Sequence, residues 1–563
     1  MNIKTFRRTN HILFLAAAVT FQSIAADGPA NQPASESQEI NQLKSELAEQ
    51  QKQIQELREV LAEQKKMIEA NRQPSAAPAS SSAAAVPGVR SLGEVASTTP
   101  VLPPVAPAPL PPVAPSSSAQ SDNVAPPLQL RIGNTSITPV GFMDMTAVSR
   151  STNPGSGIGT NFGSIPYSNV QTGALTETRL SIQNSRIGAR FDGAFGDTKV
   201  LGYWESDFLG QLGNPPNGGL AVSSNPYVFR LRLFYVNVTH GPFEFLAGQS
   251  WSLMTPGRAG ISPLPGNIFY SQDIDVNYQA GLVWGRIPGF RGVLHLGDKA
   301  AVAVALENSE PYVGGGNGGS AIVAPAAIAG ILGGQVNNGS SVISAAALHP
   351  DIIAKFAVDP SKKFHLEFAG VEITNKIADP ATTPAFQTFT KAGGGGAINL
   401  NFELFKGFRL LTNNFWSDGA GRYIFGQAPD FIIQANGNLS LVHSASTVSG
   451  FEATTRKAQF YAYYGGVYIG KNLAIDSTGK TVGYGPISSD GQNRAIQEIT
   501  FGSNFTLAKD PRWGALNLMF QYSYLQRNPW LAVSPSPSNA SLSMGFVNLR
   551  YTLPGEPPSS SSK

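Results

Sequence analysis

From residue 130 to about residue 553, apolar and polar side chains alternate with a period of two. "SRIGARFDG" sets Arg186, Arg190 and Asp192 on one face and Ile187, Ala189 and Phe191 on the other. In "VLGYWESDF", Glu205 and Asp207 oppose Trp204 and Phe208. In "EITFGSNFTL", Glu498, Thr500, Asn504 and Thr506 oppose Ile499, Phe501, Phe505 and Leu507. "NLRYTL" closes the series with Arg550 opposite Leu549 and Tyr551. Successive side chains leave a pleated strand on opposite faces, so this period predicts β-strands. About sixteen such segments of roughly ten residues follow one another, and none carries a helical period.

The connectors alternate in length. Tight turns are read at "FGDTK" (195–199), "HGP" (240–242), "GDK" (297–299), "DPSKK" (359–363), "FKG" (405–407) and "AKDPR" (508–512). Between them lie long loops rich in Gly, Ser, Asn and Pro, at about 152–184, 212–228, 253–278, 308–349 and 419–455. Short turns at one end and long loops at the other predict an all-β fold, a transmembrane antiparallel barrel of about sixteen strands over residues 130–553. A soluble β-sandwich also alternates, but sixteen strands would need two or three sandwiches with linkers between them, and none is present.

The strand "FRLRLFYVNV" (229–238) tests that reading, because Arg230 and Arg232 share a face. In a barrel both arginines face the water-filled interior, and Leu231, Leu233 and Tyr235 face lipid. The reverse would place each arginine in the bilayer at a cost of about 2–4 kcal/mol. The alternation falters further on, where Phe234 and Val236 share the arginine face and Asn237 the leucine face. A β-bulge or a contact between protomers would each account for it. Arg286, in "LVWGRIPGF", joins the inward bases by alternation alone.

Upstream of the barrel the pattern changes twice. In "EINQLKSELAEQQKQIQELREVLAEQKKMIEA" a heptad places Ile40, Leu47, Ile54, Leu61 and Ile68 at position a. Leu43, Gln50, Leu57 and Gln64 then occupy position d, so residues 36–70 predict a coiled coil. Its seam implies a homo-oligomer; Ile at a with mixed d residues is compatible with a trimer and leaves the number open. Residues 71–128 carry 13 prolines and no period, which predicts a semi-rigid linker.

The first 25 residues, with Lys4, Arg7 and Arg8 ahead of an apolar core from Ile12, read as a secretory signal peptide cleaved after Ala25. Those three bases equal the whole formal charge of +3, so the remaining chain is near neutral and nucleic acid is not an expected partner. Cysteine is absent, and a closed barrel does not need disulfides. The histidines His240, His295, His349, His365 and His443 are scattered, with neither metal-ligand spacing nor a nucleophile beside them. No enzyme, metal or cofactor is therefore expected.

"SRIGARFDGAFGDTKVLGYWESDF", followed by "FRLRLFYVNVTHGPFEFLAGQSWSLMTP", resembles the DcaP-type porins, related to the phosphate-selective porin O/P group. The shared features are the Ser-Arg-Ile-Gly strand, the Gly-Tyr-Trp-Glu-Ser-Asp strand, the Arg-Leu-Arg strand and the Gly-Gln-Ser-Trp-Ser-Leu strand end. An exported coiled coil ahead of the barrel is similar too. The resemblance implies a homotrimer of sixteen-stranded barrels in a Gram-negative outer membrane, with its coil in the periplasm. It also implies a basic constriction favouring small anions such as dicarboxylates, to which Arg186, Arg190, Arg230 and Arg232 would contribute. One departure is the C-terminus, where "NLRYTL" is followed by a tail, "PGEPPSSSSK" (554–563), rather than ending on an aromatic residue.

Two functions of different kinds fit these features. A porin would pass small hydrophilic solutes through the barrel. A structural anchor or adhesin would use the barrel as a fixture while the coil reaches towards peptidoglycan. The loops at 253–278 and 308–349 both have the length and composition to fold inward and narrow a channel.

Overall fold

A computed structural model describes residues 129–210, 227–269, 272–339, 345–379 and 386–554. The predicted signal peptide, the coil with its seam from Ile40 to Ile68, the linker and the tail beyond Pro554 lie outside the described residues.

Sixteen antiparallel strands close into one barrel. The first four are β1 (Thr135–Arg150), β2 (Glu177–Ser181 continuing as Arg186–Phe195), β3 (Thr198–Gly210) and β4 (Val228–His240). Then come β5 (Phe243–Trp251), β6 (Arg286–His295), β7 (Ala300–Glu307) and β8 (Asp351–Ser361). The next four are β9 (Phe364–Asp379), β10 (Gln387–Phe405), β11 (Phe408–Asp418) and β12 (His443–Thr454). The series ends with β13 (Ala458–Ile469), β14 (Asn493–Asp510), β15 (Gly514–Pro529) and β16 (Ala540–Thr552). Each strand hydrogen-bonds to the next, and β16 pairs back onto β1 from Phe142↔Thr552 to Arg150↔Met544. Closure leaves no free edge, so every strand has a partner on both sides.

Two halves of β2 share one neighbour: Arg186–Asp192 pairs with Ser136–Phe142, and Glu177–Ser181 with Thr146–Arg150. At the break, the Asp144 amide donates to the Ser185 hydroxyl (2.9 Å), which in turn donates to the Asp144 carbonyl (3.2 Å). Gly141 sits just below with φ 123°, and a Cβ there would meet the Arg186 carbonyl at 2.3 Å. Only glycine fits that kink.

The alternation read from the sequence sorts cleanly into outside and inside. Ile187, Phe290, Val304, Phe501 and Leu549 are exposed on the exterior, whereas Glu205, Glu367, Asn401, Glu452 and Glu498 are buried within. Phe195, Phe243, Phe405 and Trp513 are more than half exposed beside the short turns. An apolar belt edged by aromatic residues is the exterior of a barrel built for a bilayer.

All six expected tight turns join strands, and a seventh lies at residues 455–457. The long loop expected at 419–455 is shorter, because His443–Thr454 is strand β12. Its outward positions are Ala445, Thr447, Ser449 and Phe451, too small and polar to register as an apolar face. Further long connections fall at 470–492 and 530–539. The barrel therefore has tight turns at one end, where both β1 begins and β16 finishes, and long loops at the other.

The second difference is local and consequential. Register between β3 and β4 shifts by one residue, from Glu205↔Leu233 to Ser206↔Leu231, leaving Arg232 as the extra residue of a bulge. A bulge reverses the parity of everything beyond it. Leu231 faces outward, 49% exposed, as expected. Leu233 and Tyr235 do not face lipid: they are buried inside at 0% and 3%, and Phe234 and Val236 take the outer face. Of the two explanations left open, the bulge suffices.

Candidate functional site

The loop of residues 252–285 enters the barrel and crosses its interior, held by side chains of the wall. Glu307 on β7 accepts from the Leu253 amide (2.7 Å), and Lys355 on β8 donates to the Thr255 carbonyl (2.8 Å). Glu367 on β9 accepts from the Gly257 amide, while Asn399 and Asn401 on β10 donate to the Gly257 and Arg258 carbonyls. Arg258 itself makes a bidentate pair with Glu452 on β12, at 2.6 and 2.9 Å. Further on, Gln521 on β15 accepts from the Ile274 amide and Glu498 on β14 from the Ala280 amide. Inward polar side chains of six strands, β7 to β10, β14 and β15, thus satisfy the backbone of a buried loop, as burial requires.

Residues 308–350 behave differently. The Tyr312 amide donates to the Asp430 carboxylate (3.0 Å) and its hydroxyl to the Gly426 carbonyl (2.8 Å), and Val323 exchanges two backbone bonds with Gly483. The described part of that loop packs on other long loops and meets the wall at strand ends, where Gln335 exchanges hydrogen bonds with the Ala378 backbone of β9 and Asn493 of β14 donates to the Gly318 carbonyl. Of the two candidates, 252–285 is the one that narrows the interior.

Where this loop returns to β6 it meets a cluster of arginines. Arg232 donates through Nε to Glu205 (2.6 Å) and through Nη1 to Asp207 (2.7 Å). Arg230 forks onto both oxygens of Asp207, at 3.0 and 2.7 Å. Arg186 lies 3.6 Å from Glu205. The Tyr278 hydroxyl, carried by the loop, accepts from Arg232 (3.2 Å) and Arg186 (3.4 Å). Burial would raise the Tyr278 phenol, but Arg232, Arg186 and Arg286 outweigh burial and lower it below the ordinary tyrosine value. Its backbone is left-handed, φ 64°, a conformation that a bulky residue adopts only when its surroundings impose it.

Aromatic faces fix the guanidinium planes. Arg286 stacks 5.2 Å from both Trp251 and Trp284, and Arg232 also lies over Trp251. Phe142 is flanked by Arg186 at 4.9 Å and Arg550 at 4.1 Å. Arg550 is in turn bidentate to Asp144. These contacts hold flat cations at low entropy cost.

The five arginines expected from the sequence do not act as one group. Arg186, Arg230, Arg232 and Arg286 come together around Glu205, Asp207 and Tyr278. Arg190 stands apart, bidentate to Asp192 on its own strand. Within the cluster four guanidiniums meet two carboxylates, a surplus of two positive charges. Side-chain exposure divides them further: Arg232 is 1% exposed, Arg186 14% and Arg230 37%. Arg232 is a buried brace, Arg186 keeps slight exposure, and Arg230 is the most exposed of the three. Sequence reading missed Tyr278 and Trp284, since nothing in an irregular loop tells which of its residues turns towards the wall, and it missed Trp251, the last residue of β5, where alternation gives way to the loop.

No family model matches the sequence, and no curated protein matches it. Among solved structures, the outer membrane channel DcaP of Acinetobacter baumannii aligns with TM-score 0.54 at 15% identity, over 75% of this chain and 98% of the channel. The anion-selective porin from Comamonas acidovorans aligns with TM-score 0.40 at 12% identity, over 74% of this chain and all of the porin. OmpF of Salmonella typhi aligns with TM-score 0.40 at 10% identity, over 76% and 100%. The DcaP likeness carries the assignment of fold: the described residues form a sixteen-stranded porin-type barrel, the architecture that the strand motifs resemble.

Proposed function

We propose that this chain is an outer-membrane porin that lets small hydrophilic solutes diffuse through its barrel and favours small anions such as dicarboxylates. The observation that carries the reading is the surplus of two guanidinium charges beside an inward loop, within an exterior suited to lipid. Low-dielectric walls focus the field of such a surplus and raise the local concentration of anions. Guanidinium forks also match carboxylate geometry. The fold shared with an outer membrane channel supports the location. Both barrel termini lie at the short-turn end, which supports a periplasmic side for the coil at residues 36–70; that coil would support a homotrimer whose barrels make most of the contact, and would reach towards peptidoglycan.

Purified protein in a planar bilayer tests the reading. The expected result is a water-filled conductance with anions more permeable than cations in low salt. Conductance without anion preference would remove the role given to the arginines. Absence of conductance would favour the anchor reading, for which one observation speaks: inward side chains such as Asn413, Thr500 and Ser523 are almost fully buried.

A further inference from the structure

The two ends of the barrel differ in charge. The seven tight turns are spaced around one end, since each joins a pair of neighbouring strands in a closed series. Three turns carry pairs of bases: Lys362 with Lys363, Arg456 with Lys457, and Lys509 with Arg512. Three more carry a single lysine, Lys199, Lys299 or Lys406, and only the turn at 240–242 has neither lysine nor arginine. Where the chain enters the barrel, Arg131 lies just ahead of β1. All ten residues are exposed. The same turns hold four acids, Asp197, Asp298, Asp359 and Asp510. Asp359 is engaged inward, by His365 at 2.8 Å and by the Gly260 amide at 2.9 Å. Among the described residues, Arg512 alone of the ten lies within ion-pair distance of a carboxylate, Asp510 at 3.7 Å.

The other end holds almost no charge. Apart from the inward loop, the long connections at 151–176, 308–350, 419–442, 470–492 and 530–539 carry only three bases and four acids between them. Serine, asparagine and glycine keep those loops wet, so a solvated end of this barrel does not require charge. The bases at the tight turns also sit at a definite level. Phe195, Phe405 and Trp513, each more than half exposed, stand within four residues of Lys199, Lys406 and Arg512. A belt of aromatic side chains marks the level of lipid headgroups. Long basic side chains beside such a belt lay their stems on apolar surface and lift their charge to the phosphates.

We propose that this ring of bases binds the phosphate groups of anionic phospholipid in the leaflet around the short-turn end. A leaflet surrounds a barrel on every side, and so do the bases, whereas a folded protein would meet one sector of them. Their place beside the aromatic belt is the place of headgroups. Seven of the ten are lysines, point charges on flexible stems that suit mobile phosphates better than a fixed fork does. Each base near an anionic surface adds to the attraction, so the ring accumulates a preference that no single turn holds. This inference rests on the outer-membrane reading above and adds the lipid class that one end of the barrel selects.

Full-length protein is reconstituted in vesicles that mix phosphatidylcholine with phosphatidylglycerol, one of the two brominated close to the headgroup. Bromine quenches tryptophan on contact, and subtracting the emission of Trp513→Phe or Trp416→Phe isolates one tryptophan at a time. Trp513 lies beside a tight turn and Trp416 towards the long-loop end of β11, 72% and 55% exposed. At Trp513 phosphatidylglycerol should be preferred several-fold in low salt, and at Trp416 neither lipid should be. The preference should fade at 1 M salt, where the screening length is about 3 Å. Arg456→Gln, Lys457→Gln, Lys509→Gln and Arg512→Gln combined, with folding checked by heat-modifiable mobility, should bring the ratio at Trp513 down to that at Trp416. Equal quenching by the two lipids at Trp513 of the unaltered protein overturns the ring's role and leaves the membrane barrel standing. A preference that survives in the variant assigns it to other groups and overturns the ring as well. Retention on purified peptidoglycan that the variant loses, without any lipid preference, would give the ring to the cell wall instead. Protein that neither lipid quenches at either tryptophan is not in the bilayer, and overturns the outer-membrane reading too.

Discussion

Arg232 and Leu233 are adjacent in the chain, yet both turn their side chains into the barrel, 1% and 0% exposed. A bulge does this by giving two residues of β4 to one interval on β3. The consequence is that an ion-pairing residue and a packing residue share one face. Arg232 braces Glu205 and Asp207, and Leu233 joins a buried cluster with Val140, Tyr235 and Leu246.

The bulge sets an ordering of mutational costs. Leu233→Ala leaves a cavity in that cluster and should destabilise by about 2–5 kcal/mol. Leu231→Ala removes a side chain from the exterior and should cost clearly less. Thermal unfolding in detergent, followed by the loss of heat-modifiable mobility, ranks them. Equal costs would show that β4 alternates without interruption.

Arg232→Ala leaves the buried Glu205 without its hydrogen-bonded guanidinium and leaves Asp207 held by Arg230 without its second arginine. Removing one member of a buried ion-pair group typically costs about 3–5 kcal/mol. Adding Glu205→Gln to Arg232→Ala removes the stranded charge and should recover part of that loss. The same unfolding measurement reads it. No recovery would mean that Glu205 is not ionised against Arg232 in the folded barrel.

The fold was legible and the bulge was not, for a shared reason. Alternation survives over sixteen segments, so faces can be assigned even where single residues break the rule. Residues 229–238 carry large apolar side chains at Phe229, Leu231, Leu233, Phe234 and Val236, so either parity leaves leucine or phenylalanine on both sides. Only pairing with β3 decides. Strand β12 went unseen because its outer face is small and polar. The cluster was legible in its arginines, which sit on alternating strands. It was not legible in Tyr278 or Trp284, whose positions depend on Glu367, Glu452 and Glu498, far away in sequence.

Asp476 gives one long-loop hairpin a pH dependence. Its Oδ1 accepts from the Thr478 hydroxyl (2.6 Å) and from the Thr478 and Lys480 amides (both 2.9 Å). These donors, the Thr478 hydroxyl foremost, hold its carboxyl below the usual value. A depressed carboxyl stabilises the folded hairpin above its unfolded pKa of about 3.9, and that contribution disappears as pH falls through the lower folded value. Hydrogen exchange at the Thr478 and Lys480 amides, corrected for intrinsic rate, should lose protection over that descent. Asp476→Asn should show no such step; a step that persisted would assign it to another group.

Ion selectivity should depend on which arginines the interior can reach. Arg186 and Arg230 retain exposure, whereas Arg232 is enclosed by Glu205, Asp207 and Tyr278. Arg186→Ala and Arg230→Ala should each lower the anion-to-cation permeability ratio, and together they should remove most of a surplus of two charges. Lysine at both positions keeps the charge but loses the paired donors, so it should preserve the ratio while weakening any block by dicarboxylates. The effect should shrink at 1 M salt, where the screening length falls to about 3 Å. Tyr278→Phe removes the hydroxyl shared by Arg186 and Arg232 without changing charge, and should alter block more than ratio. Bilayer measurements of reversal potential and solute block read every case. If Arg186→Ala with Arg230→Ala, still folded, kept the original ratio in low salt, the surplus charge would not be what solutes meet.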